Sequence, residues 1–77
     1  MASEYSYSVV LEPQEGGGFT VTVPALPEVV TEGETEAEAL AMAEDAIRLV
    51  LDYRREHGLP LPPDMPPAVR TVKVAAA

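Results

Sequence analysis

Carboxylates are the side chains of this sequence that could do chemistry, and seven of them fall between Glu28 and Asp45 with no basic residue among them. A two-metal nuclease needs three or four carboxylates that converge from different elements. Few of the acids stand near predicted strand ends, and others belong to a helix surface, so we favour a solvated surface over a metal site. The acids that could approach one another are Glu12, Glu28, Glu32 and Glu34.

Two functions remain open for this acidic segment. Acids near a helix N-terminus complement the helix dipole and keep a protein soluble. The same acids could instead form an electrostatic docking face for a basic protein, which would speed encounter and reject anions.

Other reactive residues are scarce. The chain has no cysteine, which excludes disulfides, thiolate nucleophiles and cysteine-based metal sites. The single histidine, His57, stands near a predicted helix end, where it is expected to bind free carbonyls rather than to act in catalysis. Gly16-Gly17-Gly18 lies between two predicted strands and has no following Lys-Ser/Thr pair, so it is not a phosphate loop. We expect no catalytic residue, no cofactor and no enzyme.

The composition indicates a small globular protein that does not bind nucleic acid directly. Of the 77 residues, 47% are hydrophobic and 23% are charged, and the net charge of −8 repels phosphate backbones and anionic lipid. No window is long and apolar enough to span a membrane, and no secretion signal is apparent, so we expect a cytoplasmic protein. Eight prolines and no asparagine fit a heat-adapted prokaryotic source, although a GC-rich genome produces part of the same bias.

Alternating apolar residues predict three strands at the start of the chain. Residues 5–12 and 19–23 each place their apolar side chains on one face, and the glycine-rich loop 13–18 between them predicts an antiparallel hairpin. Residues 24–27 contain two prolines and predict an extended connection. A short third strand is expected over residues 28–32, after which Gly33 lets the chain turn.

A capping box predicts that a helix begins at Thr35. The Thr35 hydroxyl can accept from the N–H of Glu38, whose carboxylate can reach back to the N–H of Thr35. Apolar residues at helical spacing predict that one face of the helix covers the sheet, and Gly58 is its natural stop. A second apolar row could be covered by a wide sheet or by another subunit; the oligomer candidates in this row are Met42, Leu49 and Tyr53.

The rest of the chain predicts a connector and a final strand. Residues 59–67 are rich in proline and can form neither a helix nor a central strand. Residues 68–74 alternate weakly and predict a last strand parallel to another strand of the sheet. The predicted fold class is α+β, a single domain over residues 1–77 with a three-stranded antiparallel meander, one helix and a final strand.

The sequence resembles the HicB antitoxin family, including its short HicB-like members. The resemblance lies in the strand with Phe19, the Pro-x-Leu-Pro turn, the Thr-x-Gly-x-Thr step and the alanine-bearing helix that follows. It covers residues 4 to about 58. It implies a partial RNase H-like fold of β-β-β-α-β order. The residues expected to shape the shared surface are Phe19, Pro24, Leu26, Pro27, Gly33 and Thr35.

The resemblance also implies a partner, namely a small basic RNA-cleaving toxin of the HicA type. The antitoxin would neutralise it by covering its RNA-binding surface, and an acidic face suits that role because it imitates the charge of RNA. Two departures from the family stand out. Glu28-Val29 replaces a usual Gly-Cys, and the DNA-binding domain of many members has no counterpart here. The partner-binding candidates are Glu32, Glu34, Glu36 and Glu38.

Two alternatives to the antitoxin remain open. One is a solitary homo-oligomer of this fold with a structural or small-ligand role, since pairing of open sheet edges would add buried area to a small domain. The other, which we favour least, is a Mg²⁺-dependent nuclease of the RNase H type.

Overall fold

A computed structural model describes residues 4–77 and shows three strands followed by one helix. The elements are β1 (Val10–Pro13), β2 (Phe19–Thr22), β3 (Val30–Gly33) and α1 (Glu36–Glu56). The strands form an antiparallel sheet in the order β1-β2-β3. The predicted α+β meander and helix are therefore confirmed. Residues 1–3, which belong to the predicted domain, lie outside the described part.

The β1–β2 hairpin depends on its glycines. Gly16, Gly17 and Gly18 all have positive φ angles of 85–106°, a region that residues with a Cβ rarely adopt. The N–H of Gln14 donates to the carbonyl of Gly18 at 2.9 Å, which closes the loop. The register then pairs Leu11 with Val21, so their side chains share one face of the sheet.

The two prolines between β2 and β3 form consecutive tight turns instead of the predicted extended connection. The N–H of Leu26 donates to the carbonyl of Val23, and the N–H of Val29 donates to the carbonyl of Leu26, each at 2.9 Å. Pro24 and Pro27 occupy the second position of these turns, where a fixed φ near −65° is favourable. The double turn also places Leu26 in the core, where it is fully buried.

Helix α1 packs across one face of the sheet and closes two clusters of buried residues. At its N-terminal half, Ala39 and Ala43 contact Val21 of β2, and Phe19 and Leu11 pack around them. At its C-terminal half, Leu51 packs with a cluster that holds the double turn. That cluster consists of Val23, Leu26, Val29 and Leu51.

Both ends of α1 agree with the sequence prediction in most respects. The Thr35 hydroxyl accepts from the N–H of Glu38 at 3.1 Å, although no return bond from the Glu38 carboxylate forms. At the other end His57 caps the helix. Its Nδ1 lies 2.8 Å from the carbonyl of Tyr53, on whose ring the imidazole stacks. Gly58 follows with a φ of 65° and ends the helix as predicted.

The second apolar row of α1 is not covered by a wide sheet. Ala39 of that row is fully buried under β3, but three larger side chains remain 50–70% exposed. A three-stranded sheet is too narrow to reach around the helix, so the expectation of a wide sheet is wrong for these residues. They are Met42, Leu49 and Tyr53.

The chain after α1 first follows the body and then leaves it. The Tyr7 hydroxyl donates to the carbonyl of Pro62 at 2.6 Å, and burial raises the pKa of that hydroxyl. The N–H and the hydroxyl of Ser8 donate to the two carboxylate oxygens of Asp64 at 2.8 and 2.7 Å. Residues 59–64 thus form the predicted connector along the body.

The predicted final strand over residues 68–74 does not form within this chain. In the described part, these residues pair with no strand, and Val69, Val72 and Val74 are 77–83% exposed. Pro66 and Pro67 stand where pairing beside β1 would begin. Because they have no N–H to donate and favour an extended PPII conformation, they direct the chain away from its own sheet.

Candidate functional site

Gly33 sets how closely α1 approaches the sheet and therefore where the acids at the helix start lie. A Cβ on Gly33 would stand 2.4 Å from the backbone nitrogen of Ala39 and 2.7 Å from its Cα. No side chain fits in that space. The sequence suggested that Gly33 serves a turn, but its φ is not positive and its role is to admit the helix backbone.

This close approach brings Glu32, Glu34 and Glu38 around one open cleft of about 720 Å³. The cleft lies between the glycine loop of the β1–β2 hairpin and the start of α1. Backbone of Gly16–Gly18 forms much of one wall, and the carboxylates stand on the other. Glu36 occupies the first turn of α1 and is exposed, but it does not line the cleft.

The four candidate glutamates differ from the other acids of the segment in having no basic partner within residues 4–77. Arg48 lies 2.9 Å from Glu44 and 3.5 Å from Asp45 on the helix surface. Arg54 lies 2.9 Å from Glu28. The three acids outside the candidate set are thus paired, and the uncompensated charge is confined to the cleft and the first turn of α1, at Glu32, Glu34, Glu36 and Glu38.

Glu28 illustrates the opposite environment. Its own backbone N–H and the Arg54 guanidinium, both hydrogen-bonded to the carboxylate, hold the pKa of Glu28 below its usual value. Arg54 also donates to the carbonyl of Pro60 at 3.3 Å, so it ties the double turn to the connector. Glu28 therefore stabilises the fold and does not add to the charge around the cleft.

The six residues expected to shape the surface divide between the cleft and the core beneath it. Phe19 and Gly33 line the cleft and face each other across the β2–β3 ladder. Thr35 caps the helix whose first turns carry Glu36 and Glu38. The remaining three form the double turn at the far end of β2, outside the cleft; they are Pro24, Leu26 and Pro27.

The arrangement suits binding of a cation-bearing partner better than metal chemistry. Among residues 4–77, no group of three or more His, Asp or Glu residues is disposed to hold a metal ion. Of the four carboxylates that could have converged, Glu28 is held by Arg54 at the double turn. The described chain also contains no helix long and apolar enough to cross a membrane.

Comparison with known proteins decides the family. A sequence model described as the HicB_like antitoxin of bacterial toxin-antitoxin systems matches residues 7–74. The chain belongs to the HicB-like antitoxin family. The match runs past α1 and the connector and includes the segment that was predicted as a final strand. Recognition of this family from the Phe19-to-helix pattern is therefore confirmed.

Individual HicB-like relatives support the same assignment. Antitoxin HicB 1 of Photorhabdus laumondii subsp. laumondii is 45% identical over 58 residues, which cover 73% of this chain and 37% of that protein. Antitoxin HicB of Escherichia coli strain K12 is 41% identical over 73% of this chain and 42% of its own length. UPF0150 protein Ta0767 of Thermoplasma acidophilum is 38% identical over 75% of this chain and 84% of its own length.

These comparisons separate two kinds of HicB-like relative. The match covers less than half of the proteins named HicB and most of the Thermoplasma protein. The relatives named HicB are described as antitoxins and not as enzymes, which agrees with the expectation that this chain is not an enzyme.

Sequence reasoning missed two features of the site. The glycine wall of the cleft was interpreted only as a hairpin loop, although three successive glycines could have suggested a surface without side chains. The pairing of Glu28 with Arg54 joins residues 26 positions apart, and no periodicity in the sequence reports such a contact.

Proposed function

We propose that this chain is an antitoxin module that binds a small basic RNA-cleaving toxin of the HicA type and covers its RNA-binding surface. The observation that carries the proposal is the group of four glutamates without a basic partner, three of which surround one open cleft. Membership of the HicB-like family supports it. The module acts by binding alone, in the cytoplasm, where the RNA substrates of such a toxin are found.

Electrostatics favours a basic partner at this place. The chain has a net charge of −8, and the acids outside the cleft are partly compensated by neighbouring arginines. A Lys or Arg side chain that enters the cleft meets several carboxylates and the hydrogen-bonding groups of the glycine backbone. A surface that binds phosphates on RNA carries such side chains, and complementary charge speeds its association with the antitoxin.

The test replaces the four glutamates by glutamine in one variant, Glu32→Gln/Glu34→Gln/Glu36→Gln/Glu38→Gln. Affinity for a co-expressed HicA-type toxin, measured by calorimetry at several salt concentrations, is expected to fall by about tenfold or more and to lose most of its salt dependence. Rescue of growth in cells that express the toxin is expected to weaken in parallel.

A matched variant controls for net charge. Glu4→Gln/Asp45→Asn/Asp52→Asn/Glu56→Gln removes the same number of charges from exposed positions away from the cleft. It is expected to bind the toxin with nearly the original affinity. If both variants bind equally well, or if the cleft variant binds like the unchanged protein, the acidic-face mechanism is wrong. Thermal unfolding of both variants verifies that the fold is intact.

We further propose that the module is a homo-oligomer in which a second copy covers the exposed apolar row of α1. Met42, Leu49 and Tyr53 lie on this row, and Leu49 is 70% exposed. The change Leu49→Glu is expected to lower the molar mass measured by light scattering. An unchanged mass would exclude this face, and Asp52→Lys, beside it on α1, controls for an altered charge.

A further inference from the structure

Residues 68–77 form an arm that projects from the body. The molecule measures 58 × 25 × 19 Å and its radius of gyration is 15.4 Å, whereas a compact chain of this length would have about 11–12 Å. Every residue of the arm is exposed. A chain of this size that leaves ten residues outside its core has not buried all the surface that it can.

The arm has the sequence of a strand and not that of a solvated tail. Residues 68–74 contain no Gly, Pro, Asp or Glu, and they include three valines that are 77–83% exposed. Valine favours a pleated, half-buried surface. The segment also carries Arg70 and Lys73, two of only five basic residues in an acidic chain. Its partner is therefore expected to offer an open strand edge, apolar surface and negative charge.

The outer edge of β1 offers all three. Within residues 4–77, β1 pairs only with β2, which leaves its other edge open. Because alternate N–H groups of a strand point to the same side, the N–H of Val10 points to the same edge as that of Ser8. Gln14 donates to the carbonyl of Glu12 at 3.2 Å and Asp64 accepts from Ser8, so side chains occupy both ends of this edge and leave Val10 between them.

An apolar groove of about 270 Å³ accompanies this edge. It lies between the residues that lead into β1 and the side of α1, and Tyr5 and Leu40 in its walls are 48% and 39% exposed. Glu44 stands at its side, and Glu12 of β1 is exposed nearby along the strand. Seven extended residues reach about 23 Å, which suffices to follow the edge and the groove from Tyr5 to Leu11.

The connector keeps the arm of the same chain from taking this place. Asp64 is bound to Ser8, and Met65 is followed by Pro66 and Pro67, so the chain has no N–H to offer as it passes β1. The arm leaves the body there. In a second copy, the same edge can be approached from outside without that restriction, and an exchange between two copies satisfies both edges at once.

We propose that residues 68–74 of one copy pair with the outer edge of β1 in a second copy, and that the exchange is reciprocal. The valines of one arm face enter the groove between β1 and α1, and Arg70 and Lys73 lie near the acids of the partner copy. The family match supports the arm as part of the domain, since it continues to residue 74. This interface is independent of toxin binding and of the apolar row on α1.

Engineered cysteines test the exchange directly, because the protein has none of its own. A chain with Val10→Cys is mixed with a chain carrying either Thr71→Cys or Val72→Cys and is oxidised mildly. Because Thr71 and Val72 lie on opposite faces of an extended arm, one of them is expected to give a disulfide-linked pair in high yield and the other is not. Equal yields or no linked pair would overturn the proposal.

The chain that carries both cysteines distinguishes exchange from folding back. At low protein concentration, a link within one chain would show that the arm reaches its own β1, and this result would also overturn the proposal. Exchange instead gives a species of twice the mass on a non-reducing gel.

Removal of residues 68–77 supplies the second measurement. The buried core contains no residue of the arm, so the shortened protein is expected to keep its fold and to sediment as a smaller species. A matched variant, Ala75→Ser/Ala76→Ser/Ala77→Ser, alters the chain beyond the arm strand and is expected to retain the original mass. A shortened protein of unchanged oligomeric state would contradict the exchange, whatever its affinity for a toxin.

Discussion

The two ends of α1 treat charge in opposite ways. At the N-terminal end, Glu36 and Glu38 stand with Glu32 and Glu34 around a cleft and have no basic partner in residues 4–77. At the C-terminal end, Arg54 binds Glu28 and a connector carbonyl, and His57 binds a helix carbonyl. Both ends complement the helix dipole, but only one is closed by the chain itself.

This difference indicates how function and stability are divided in the fold. The C-terminal end joins the double turn, the helix and the connector, so its charges act within the chain. The N-terminal end depends on backbone packing against Gly33, which leaves its side chains available to another molecule. Substitutions at the two ends should therefore differ in kind.

The largest effect is expected from Gly33→Ala. A Cβ at this position would stand 2.4 Å from backbone of Ala39, so α1 or β3 must shift, and the free energy of unfolding should fall by about 3 kcal/mol. Urea denaturation measures the change. Gly16→Ala is the control, since its added Cβ meets open space and only its φ of 88° is unfavourable, which should cost about 1 kcal/mol. Similar losses for both would show that α1 is not held closely.

A smaller loss is expected from Thr35→Ala. The Thr35 hydroxyl accepts the N–H of Glu38 at 3.1 Å, and removal of an N-cap of this kind lowers the free energy of unfolding by about 1 kcal/mol. Thr35→Ser retains the hydroxyl and should recover most of it. Equal stability of the Ala and Ser variants would remove the cap from the account of this end.

At the opposite end, a double-mutant cycle on Glu28 and Arg54 is expected to give a coupling of about 0.5–1 kcal/mol. The side chains are 46% and 24% exposed, so solvent screens much of their attraction. The cycle uses Glu28→Gln, Arg54→Met and their combination. A coupling near zero would mean that packing of the double turn, and not this ion pair, closes the C-terminal end.

The smallest effect concerns the connector and depends on pH. Hydrogen bonds from Ser8 lower the pKa of Asp64, so the ionised carboxylate favours the attached connector. That contribution is complete above the ordinary pKa of an aspartate and is lost as the pH falls through the lowered value. The amide proton shift of Ser8 in NMR spectra should report the loss, and Asp64→Ala should abolish this titration. A titration that persists in the variant would assign it to another group.

The sequence predicted the elements whose signals are local. Alternating residues on either side of Gly16–Gly18 placed the hairpin, and the capping box placed the start of α1 at Thr35. β1 begins later than predicted, at Val10, because Tyr5 to Val9 extend past the end of β2 and have no partner there. Strand bounds depend on the length of the neighbour as well as on alternation.

Features that depend on distant contacts could not be predicted in this way. The role of Gly33 follows from the position of Ala39 above it, and the pairing of Glu28 follows from the fold of the double turn. The final strand was predicted from alternation alone, and a strand forms only where an edge is within reach. Of the site, the sequence supplied the glutamates but not the cleft that groups three of them.

The glycine loop has a consequence for how this protein is studied. Gly16, Gly17 and Gly18 give the cleft a wall of bare peptide groups, so truncation of side chains one by one leaves that wall untouched. An alanine scan would assign the whole cleft to its carboxylate side. Shortening the loop by one residue, or replacing a peptide bond by an ester, would reveal what the other side contributes.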